Sequence, residues 1–487
     1  MVQVEIQGGR VRRVLAVVAA VLVLLLGYAT LDVLDVVPGV LTLARPAPAP
    51  TPTTTAPTGP TVTIPTVDAA AQPLPPVSAD APIPAATGVA RTLAADVADP
   101  GLGGRPGVVV RDAFTGQTLY AADADRARVP ASTAKLLTAL AVSTTLDTRA
   151  TMTTRVVQGP SPHDLVLVAG GDTMLAPGKG NPAAVEGRAG LADLAEQVAA
   201  ALQPSGTTSV TLRLDTSYAH GDRWAPGWSR ADIDAGFTGG VSMIGLAGQR
   251  AVPYKPAPRD PEAATAAAFV AALAKVGLTA TLAPESTWST PVPAGAGELA
   301  RVESAPIGDV LALALGDSDN ALTEGLARQA AVKAGRPATF AAAVDFVRRT
   351  VADLGVDLTG AVLKDTCGLT SGQAIPPRVI SDVLQRGADG SVPGMQDVVA
   401  QLPVAGLSGT LHDRFTTRTT HVVAGLARAK TGTLTGASAI AGTVIDADGR
   451  VLSYVVLADG LRPGVGTLEA RGALDRFVAR LATCGCR

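Results

Sequence analysis

The pattern of hydrophobic and polar positions begins with one long apolar run. Residues 14–31 carry almost no charge and follow three arginines between positions 10 and 13. This length is close to the roughly 17–25 residues that a membrane-spanning helix needs, so the run predicts an anchor, with residues 1–13 on the cytoplasmic side. Small residues at 27–29 leave a cleaved signal peptide as the alternative. Both interpretations place the rest of the chain outside the cell membrane.

A polar, proline-rich stretch follows the apolar run. Between residues 32 and 88 the sequence repeats Pro, Thr and Ala, most densely from residue 45 onward. Such a composition buries too little apolar surface to fold, which predicts an extended linker.

From residue 89 the pattern is that of a folded protein. The apolar runs Gly107–Asp112 and Thr118–Ala122 flank a turn and predict a hairpin, and Ala131–Val142 has the spacing of a buried helix. Residues 150–300 mix short strands with helices, and helical spacing returns from Pro306. The other predicted elements are strand Val210–Leu214, helices Leu191–Leu202 and Pro261–Val276, strands Leu426–Thr433, Ala439–Ile445 and Val451–Leu457, and a helix over 467–482.

Length and composition narrow the classes of function. A chain of 487 residues exceeds one ordinary core, so we expect two or three domains. A formal net charge of -2 gives no basic face for a nucleic acid, and no cofactor motif is present. The three cysteines provide neither a disulfide framework nor the ligands of a zinc site. Cys484 and Cys486 could pair with each other, pair with Cys367, or stay free.

Three short motifs carry the candidate chemistry. They are Ser132-x-x-Lys135, Ser318-Asp319-Asn320 and Lys430-Thr431-Gly432. Of the seven lysines only Lys135 has a serine three positions before it, and the chain has only two asparagines. Individually, the motifs could be a helix cap, an inter-helix turn and a solvated strand residue. In this order they indicate a penicillin-recognising serine enzyme.

The spacing within the first motif has a physical reason. A serine hydroxyl becomes a good nucleophile only when a base accepts its proton. Helix positions three apart share a face, so Lys135 can direct its amine at the Ser132 hydroxyl. Burial and a second cation, for which Lys430 is the candidate, would lower the pKa of Lys135 enough for it to act as that base.

The other motifs supply the remaining parts of a cleft. Lys430 and Thr431 are expected to hold a substrate carboxylate, and Gly432 lets the substrate backbone approach the strand. The backbone N–H groups of Ser132 and Thr433 are candidates for the oxyanion hole. Ser318 is expected to relay a proton to the leaving amine, and Asn320 to bind the substrate amide and position Lys135.

Beyond these motifs the sequence resembles the class C low-molecular-mass penicillin-binding proteins, the D-alanyl-D-alanine carboxypeptidase/endopeptidase family. The resemblance rests on 130–132, Glu324 after Ser318-Asp319-Asn320, 365–370 and 402–411. It implies an α/β (α+β) transpeptidase-like catalytic domain over 89–150 and 301–487, with helices packed on a mainly antiparallel sheet. One or two small mixed domains would be inserted over 151–300, between the first two motifs.

The resemblance also suggests substrate-binding groups. Cys367 stands where the family usually has serine, and Leu369 keeps the family's apolar wall beside the substrate side chain. Asp215 and Tyr218 fall where the family places groups that grip that side chain. A turn at the end of a strand is the alternative interpretation of these two residues.

The sequence therefore predicts a serine-type D-alanyl-D-alanine carboxypeptidase, also an endopeptidase candidate, that acts on peptidoglycan stem peptides outside the membrane. β-Lactams would acylate Ser132, and neither a metal nor a cofactor is expected. The alternatives are a serine β-lactamase, which would deacylate quickly, and a catalytically idle cell-wall-binding or division scaffold.

Overall fold

A computed structural model describes residues 77–461 and 465–486, together with residues 19, 21–23 and 26. The predicted membrane segment, residues 14–31, and the predicted linker lie largely outside these residues. Within the described residues, no helix has both the length and the apolar character to cross a membrane. Residues 1–71 and 72–487 are separate units, and the second unit is described below.

Helices and strands are interspersed along this unit, with five consecutive helices before the last three strands. The α-helices are α1 (Ala86–Val97), α2 (Lys135–Thr145), α3 (Leu191–Leu202), α4 (Arg230–Asp234), α5 (Pro261–Lys275), α6 (Ile307–Gly316), α7 (Asn320–Lys333), α8 (Phe340–Asp353), α9 (Pro377–Ala388), α10 (Pro393–Ala400) and α11 (Thr467–Ala482). The strands are β1 (Gly107–Asp112), β2 (Thr118–Ala122), β3 (Thr153–Gln158), β4 (Asp164–Val168), β5 (Ser209–Asp215), β6 (Thr279–Leu282), β7 (Glu298–Glu303), β8 (Ala427–Leu434), β9 (Ala437–Ile445) and β10 (Val451–Ala458). Short 3-10 helices are Pro100–Leu102, Ala131–Ala134, Gln203–Ser205, Glu285–Thr287, Gly409–Leu411 and His421–Val423.

The first sheet is antiparallel and has helices on both faces. Its strand order is β2-β1-β10-β9-β8, which leaves β8 at an edge. Successive strand residues point to opposite faces, so the apolar residues of β9 and β10 divide between two cores. Ala441 and Val455 pack with the central helices, including Leu140 of α2. Ile440 faces the other core, with Phe477 of α11.

The second sheet is mixed. Its order is β6-β5-β4-β3-β7, with β4, β5 and β6 parallel and β3 antiparallel to both of its neighbours. Leu212 of β5 packs against Leu194 of α3 and Phe269 of α5 in a core of its own. All five strands fall within residues 153–303, which is the region of the predicted insert extended by three residues.

Two expectations need correction. Ala131–Val142 is not one helix: residues 131–134 form a tight 3-10 turn, and Ala131 has a left-handed φ of 45° before α2 begins. Folded contacts also begin before residue 89, because α1 starts at Ala86 and the Ser78 N–H donates to the Gly449 carbonyl. The structure pairs Cys484 with Cys486 and leaves Cys367 as a buried thiol.

Candidate active site

The first motif forms the turn that leads into helix α2. Ser132 lies in the 3-10 turn, and Lys135 is the first residue of the buried helix. The Lys135 Nζ lies 3.0 Å from the Ser132 Oγ. The predicted helical spacing therefore brings the amine to the hydroxyl, although through a tighter turn than expected.

The Lys135 amine is enclosed by acceptors. It donates to the Asn320 Oδ1 at 2.5 Å and to the backbone carbonyl of Cys367 at 2.8 Å, and its side chain is fully buried. Burial lowers the pKa of Lys135, against an opposing effect of nearby acidic groups that include Cys367 and Asp365. A lysine held this way is poised to lose its proton more readily than one in water.

The second and third motifs form another lysine–serine pair. The Lys430 Nζ donates to the Ser318 Oγ at 3.0 Å and to the Thr431 carbonyl at 2.7 Å. Burial, together with the charge of Lys135, lowers the pKa of Lys430 well below its usual value. Ser318 has a left-handed φ of 58°, a costly conformation for a residue other than glycine, as is found at many functional sites.

Edge strand β8 presents backbone donors beside the nucleophile. The Ala429 N–H donates to the Pro403 carbonyl, on the side away from β9. Strand geometry repeats every two residues, so the N–H of Thr433 points to the same side of the strand as the N–H of Ala429, away from β9. A Cβ on Gly432 would lie 2.9 Å from the Ser132 nitrogen, so this close approach needs glycine.

The loop of residues 365–370 packs against the turn that carries Ser132. Asp365 accepts hydrogen bonds from the backbone N–H groups of Gly368 and Thr370, at 2.7 and 2.6 Å. Burial raises the pKa of Asp365, but these hydrogen bonds outweigh it and hold the pKa low. Gly368 has a φ of 87°, and a Cβ there would lie 2.0 Å from the Ala131 carbonyl oxygen. The loop therefore fixes the nucleophile turn.

These parts surround a cleft of about 410 Å³. Ser132, Ser318, Asn320, Leu369, Thr431 and Thr433 all line it, which accounts for most of the predicted site residues. Lys135, Lys430 and Gly432 lie behind that lining. Further lining residues, which the sequence did not single out as site residues, are Asp232, Phe237, Arg250, Thr410, Arg414 and Arg471.

The second sheet's region reaches the cleft through loops. Arg250 donates to Asp319 and Asp317 at 2.8 Å each and to Glu186 at 2.9 Å. The carbonyl of Phe237 accepts from the Asn320 Nδ2 at 2.7 Å. Both contacts hold the Ser318-Asp319-Asn320 motif (the SDN motif) in position. No local pattern marks Arg250 in the sequence, because its partners lie more than sixty positions away.

Asp215 and Tyr218 do not line this cleft. The Asp215 carboxylate accepts from the backbone N–H groups of Ser217 and Val292, at 2.9 and 2.7 Å. The Tyr218 hydroxyl is 3.3 Å from the Gln329 Oε1. These contacts favour the strand-end turn, so a role in gripping the substrate remains a prediction without support from this geometry.

One cluster among the described residues has metal-ligand atoms close together. Oxygen or sulfur atoms of Glu324, Asp365 and Cys367 lie within 4.8 Å of one another. Asp365 is occupied by loop donors, and one Glu324 oxygen accepts from the Thr366 N–H at 2.6 Å. The cluster also faces the Lys135 amine, a cation that competes with any metal. We therefore assign no metal to it.

Comparison with known proteins gives consistent matches. The profile of the D-Ala-D-Ala carboxypeptidase 3 (S13) family matches residues 89–252 and 245–481. Carboxypeptidase DacB of Mycolicibacterium smegmatis is 37% identical over 415 residues, covering 84% of this chain and 87% of that protein. The D-alanyl-D-alanine carboxypeptidase of Actinomadura sp. (strain R39) is 30% identical over 479 residues, with the same two coverages.

The fold also matches a solved structure. Penicillin binding protein 4 (dacB) from Haemophilus influenzae superposes with a TM-score of 0.62 at 21% identity, over 77% of this chain and 95% of that one. The same protein in complex with a β-lactam gives a TM-score of 0.56.

Proposed function

Because the chain belongs to the D-Ala-D-Ala carboxypeptidase 3 (S13) family, we propose that it is a serine-type D-alanyl-D-alanine carboxypeptidase acting on peptidoglycan stem peptides. The observation that carries the proposal is the buried amine of Lys135, 3.0 Å from the Ser132 hydroxyl at the base of the cleft. This is the arrangement that a serine nucleophile with a lysine base requires.

In the first half of the reaction, neutral Lys135 takes the proton of Ser132. The Ser132 Oγ then attacks the carbonyl carbon of the penultimate D-alanine. The N–H groups of Ser132 and Thr433 stabilise the negative charge that develops on the carbonyl oxygen. Asn320 holds Lys135 by a hydrogen bond of 2.5 Å and keeps the amine directed at the hydroxyl.

Collapse of the tetrahedral intermediate breaks the peptide bond and leaves an ester on Ser132. The leaving D-alanine amine takes the hydroxyl proton of Ser318, which is hydrogen-bonded to Lys430, and the proton that Lys135 removed from Ser132 replaces it, so Lys135 is neutral again. Neutral Lys135 then accepts a proton from the attacking water, the ester bond breaks, and Lys135 returns that proton to the Ser132 oxygen. Cross-linked stems present the same D-alanine carbonyl to the cleft, so endopeptidase activity uses the same steps.

A β-lactam meets the same nucleophile and forms an acyl-enzyme that persists. The complex of the H. influenzae protein with a β-lactam supports β-lactam binding by this fold.

The substrate lies outside the membrane, and an apolar run precedes the folded part. We therefore place the catalytic unit on the extracytoplasmic side, which protease accessibility in intact cells would test.

The direct test measures release of D-alanine from a peptide ending in D-Ala-D-Ala. The wild type should release it catalytically and Ser132→Ala should not. Exposed Lys333, changed to methionine, controls for substitution in general. No release by the folded wild type, or equal release by Ser132→Ala, would overturn the proposal. Rapid turnover of a chromogenic cephalosporin would instead identify a β-lactamase.

A further inference from the structure

An exposed apolar patch lies at the rim of the cleft, and it is called the rim patch below. It consists of Phe237, Val252 and Tyr254, which are 42%, 43% and 86% exposed. Phe237 and Val252 line the cleft, and the ring centroids of Phe237 and Tyr254 are 6.2 Å apart in an edge-to-face arrangement. Large apolar side chains that are both grouped and exposed mark binding surfaces in soluble proteins.

Hydrogen bonds hold the rim patch against the SDN motif. The Tyr254 N–H donates to the carbonyl of Ala235, two residues before Phe237, at 2.7 Å. The Phe237 carbonyl in turn accepts from the Asn320 Nδ2 at 2.7 Å. Two hydrogen bonds therefore connect the loop of Tyr254 with a residue of the catalytic motif, and the rim patch is continuous with the cleft.

The backbone of Tyr254 is strained although its ring is not part of the core. Its φ is 67°, in the left-handed region that is rare and costly for a bulky residue other than glycine. Because the residue is 86% exposed, burial of the ring does little to offset that cost. A strained backbone that presents an exposed ring indicates a role in binding, since the packing of the fold does not need the ring at this position.

The chemistry of the rim patch fits an uncharged partner that has an apolar face. The three side chains carry no charge, so they offer no ion pair to a charged ligand. The faces of an aromatic ring carry negative charge density, and they pack against C–H groups, which carry a small positive charge. One face of a pyranose ring consists of such C–H groups, while its hydroxyl groups lie at the edge and stay hydrated.

The proposed substrate has a sugar within reach of this rim. A peptidoglycan stem is attached through its first residue to an amino sugar of the glycan strand, and the bond that breaks follows the fourth of its five residues. Extended residues span at most about 3.5 Å each, so roughly 14 Å separate the reacting carbonyl from the sugar. Phe237 lines the same cleft as Ser132, and Tyr254 lies one ring contact farther out. A stem whose carbonyl meets Ser132 therefore has the length to bring its sugar to the rim.

We propose that the rim patch, with Tyr254 at its most exposed end, binds the sugar of the glycan strand that carries the stem peptide. The inference rests on the proposed function, because the stem in the cleft determines where the sugar lies. Tyr254 then favours stems that are attached to glycan over free peptides. It contacts no reacting atom and takes no part in proton transfer.

The test compares two substrates with the same pentapeptide ending in D-Ala-D-Ala, one free and one attached to the N-acetylglucosamine–N-acetylmuramic acid disaccharide. The wild type should have the higher kcat/KM on the disaccharide–pentapeptide. Tyr254→Ala should lower that kcat/KM by about fivefold, mostly through KM, because the ring contact is lost. Its kcat/KM on the free pentapeptide should stay within about twofold of wild type. Tyr254→Phe keeps the aromatic face and should retain the preference for the disaccharide–pentapeptide.

Two further variants separate the ring from the loop that carries it. Tyr254→Gly suits the left-handed φ, so it removes the ring without straining the loop and should behave like Tyr254→Ala. Leu282→Ala removes an exposed apolar side chain from edge strand β6 of the mixed sheet and should keep the wild-type preference.

Three outcomes would overturn this inference alone. The first is a wild type with equal kcat/KM on the two substrates, and the second is a wild-type preference that survives in both Tyr254→Ala and Tyr254→Gly. The third is an equal loss on both substrates, because the ring would then contact the peptide. A wild type that releases no D-alanine from either substrate and forms no acyl-enzyme with penicillin would instead overturn the proposed function.

Discussion

The two five-stranded sheets are equal in size but contribute to the cleft in different ways. The antiparallel sheet supplies edge strand β8, and the helices packed on it supply Ser132 and Lys135. The region of the mixed sheet, residues 153–303, supplies loops and the short helix α4, and it contacts the Ser318-Asp319-Asn320 motif through Arg250 and the Phe237 carbonyl. The reacting groups thus belong to the region of the antiparallel sheet. The region of the mixed sheet holds the Ser318-Asp319-Asn320 motif of that region in place.

This difference predicts how strongly a substitution in each region affects activity. Substitutions of reacting groups should abolish activity, substitutions of the bracing loops should weaken it, and substitutions elsewhere in the mixed sheet should affect only stability.

The largest effect is expected at Lys135. Lys135→Met keeps the length of the side chain but removes the base, so acylation by penicillin should slow by about 10³-fold or more. Stopped-flow or gel-based acylation rates would measure this. Lys333→Met on the exposed end of α7 should acylate like the wild type. A Lys135→Met variant that acylates normally would mean that another group is the base.

A smaller effect is expected at Arg250. Arg250→Gln removes the cation that Asp317, Asp319 and Glu186 share, and it leaves a buried carboxylate at Asp319 without its partner. We expect kcat/KM to fall by about tenfold, with the fold retained. Arg301→Gln, in an exposed pair on β7, is the control. An unchanged kcat/KM would show that the SDN motif needs no brace from the mixed region.

The pH dependence of acylation should respond to Glu324. Burial raises the pKa of Glu324 to about 7, and its charge in turn raises the pKa of Lys135. Glu324→Gln removes that charge, so the pKa of Lys135 falls and its neutral form is reached at lower pH. The acid limb of the acylation rate should therefore move to lower pH. Below about pH 7 the two proteins converge, because Glu324 is then protonated. A limb that moves upward would contradict the account.

The smallest effect on activity is expected at Asp215 and Tyr218. Asp215→Asn weakens the hydrogen bonds from Ser217 and Val292 and should cost about 1–2 kcal/mol of stability. Tyr218→Phe should leave kcat/KM within about twofold of wild type. Thermal unfolding and D-alanine release would separate the two effects. A large loss of kcat/KM in either variant would restore them as substrate-binding residues.

Much of the fold was predictable because local patterns determined it. Strands β1 and β2 and helix α3 match their predicted bounds, since period and turn residues agree there. The turn at 131–134 was misread as helix because nothing in the apolar spacing reveals the positive φ of Ala131. Tertiary contacts impose that conformation.

The candidate site also contains residues that local patterns mark and residues that only tertiary contacts reveal. The motifs that contain Ser132, Ser318 and Lys430 can be singled out from the sequence because they are local and rare. Arg250 could not be found, because its role comes from ion pairs across the fold.

The central claim is that Ser132 is the nucleophile. Incubation with fluorescent penicillin followed by mass spectrometry of peptides tests it most directly. The account predicts one covalent adduct per wild-type chain, located on Ser132, and none on Ser132→Ala. An adduct on another residue, or equal labelling of the two proteins, would contradict it.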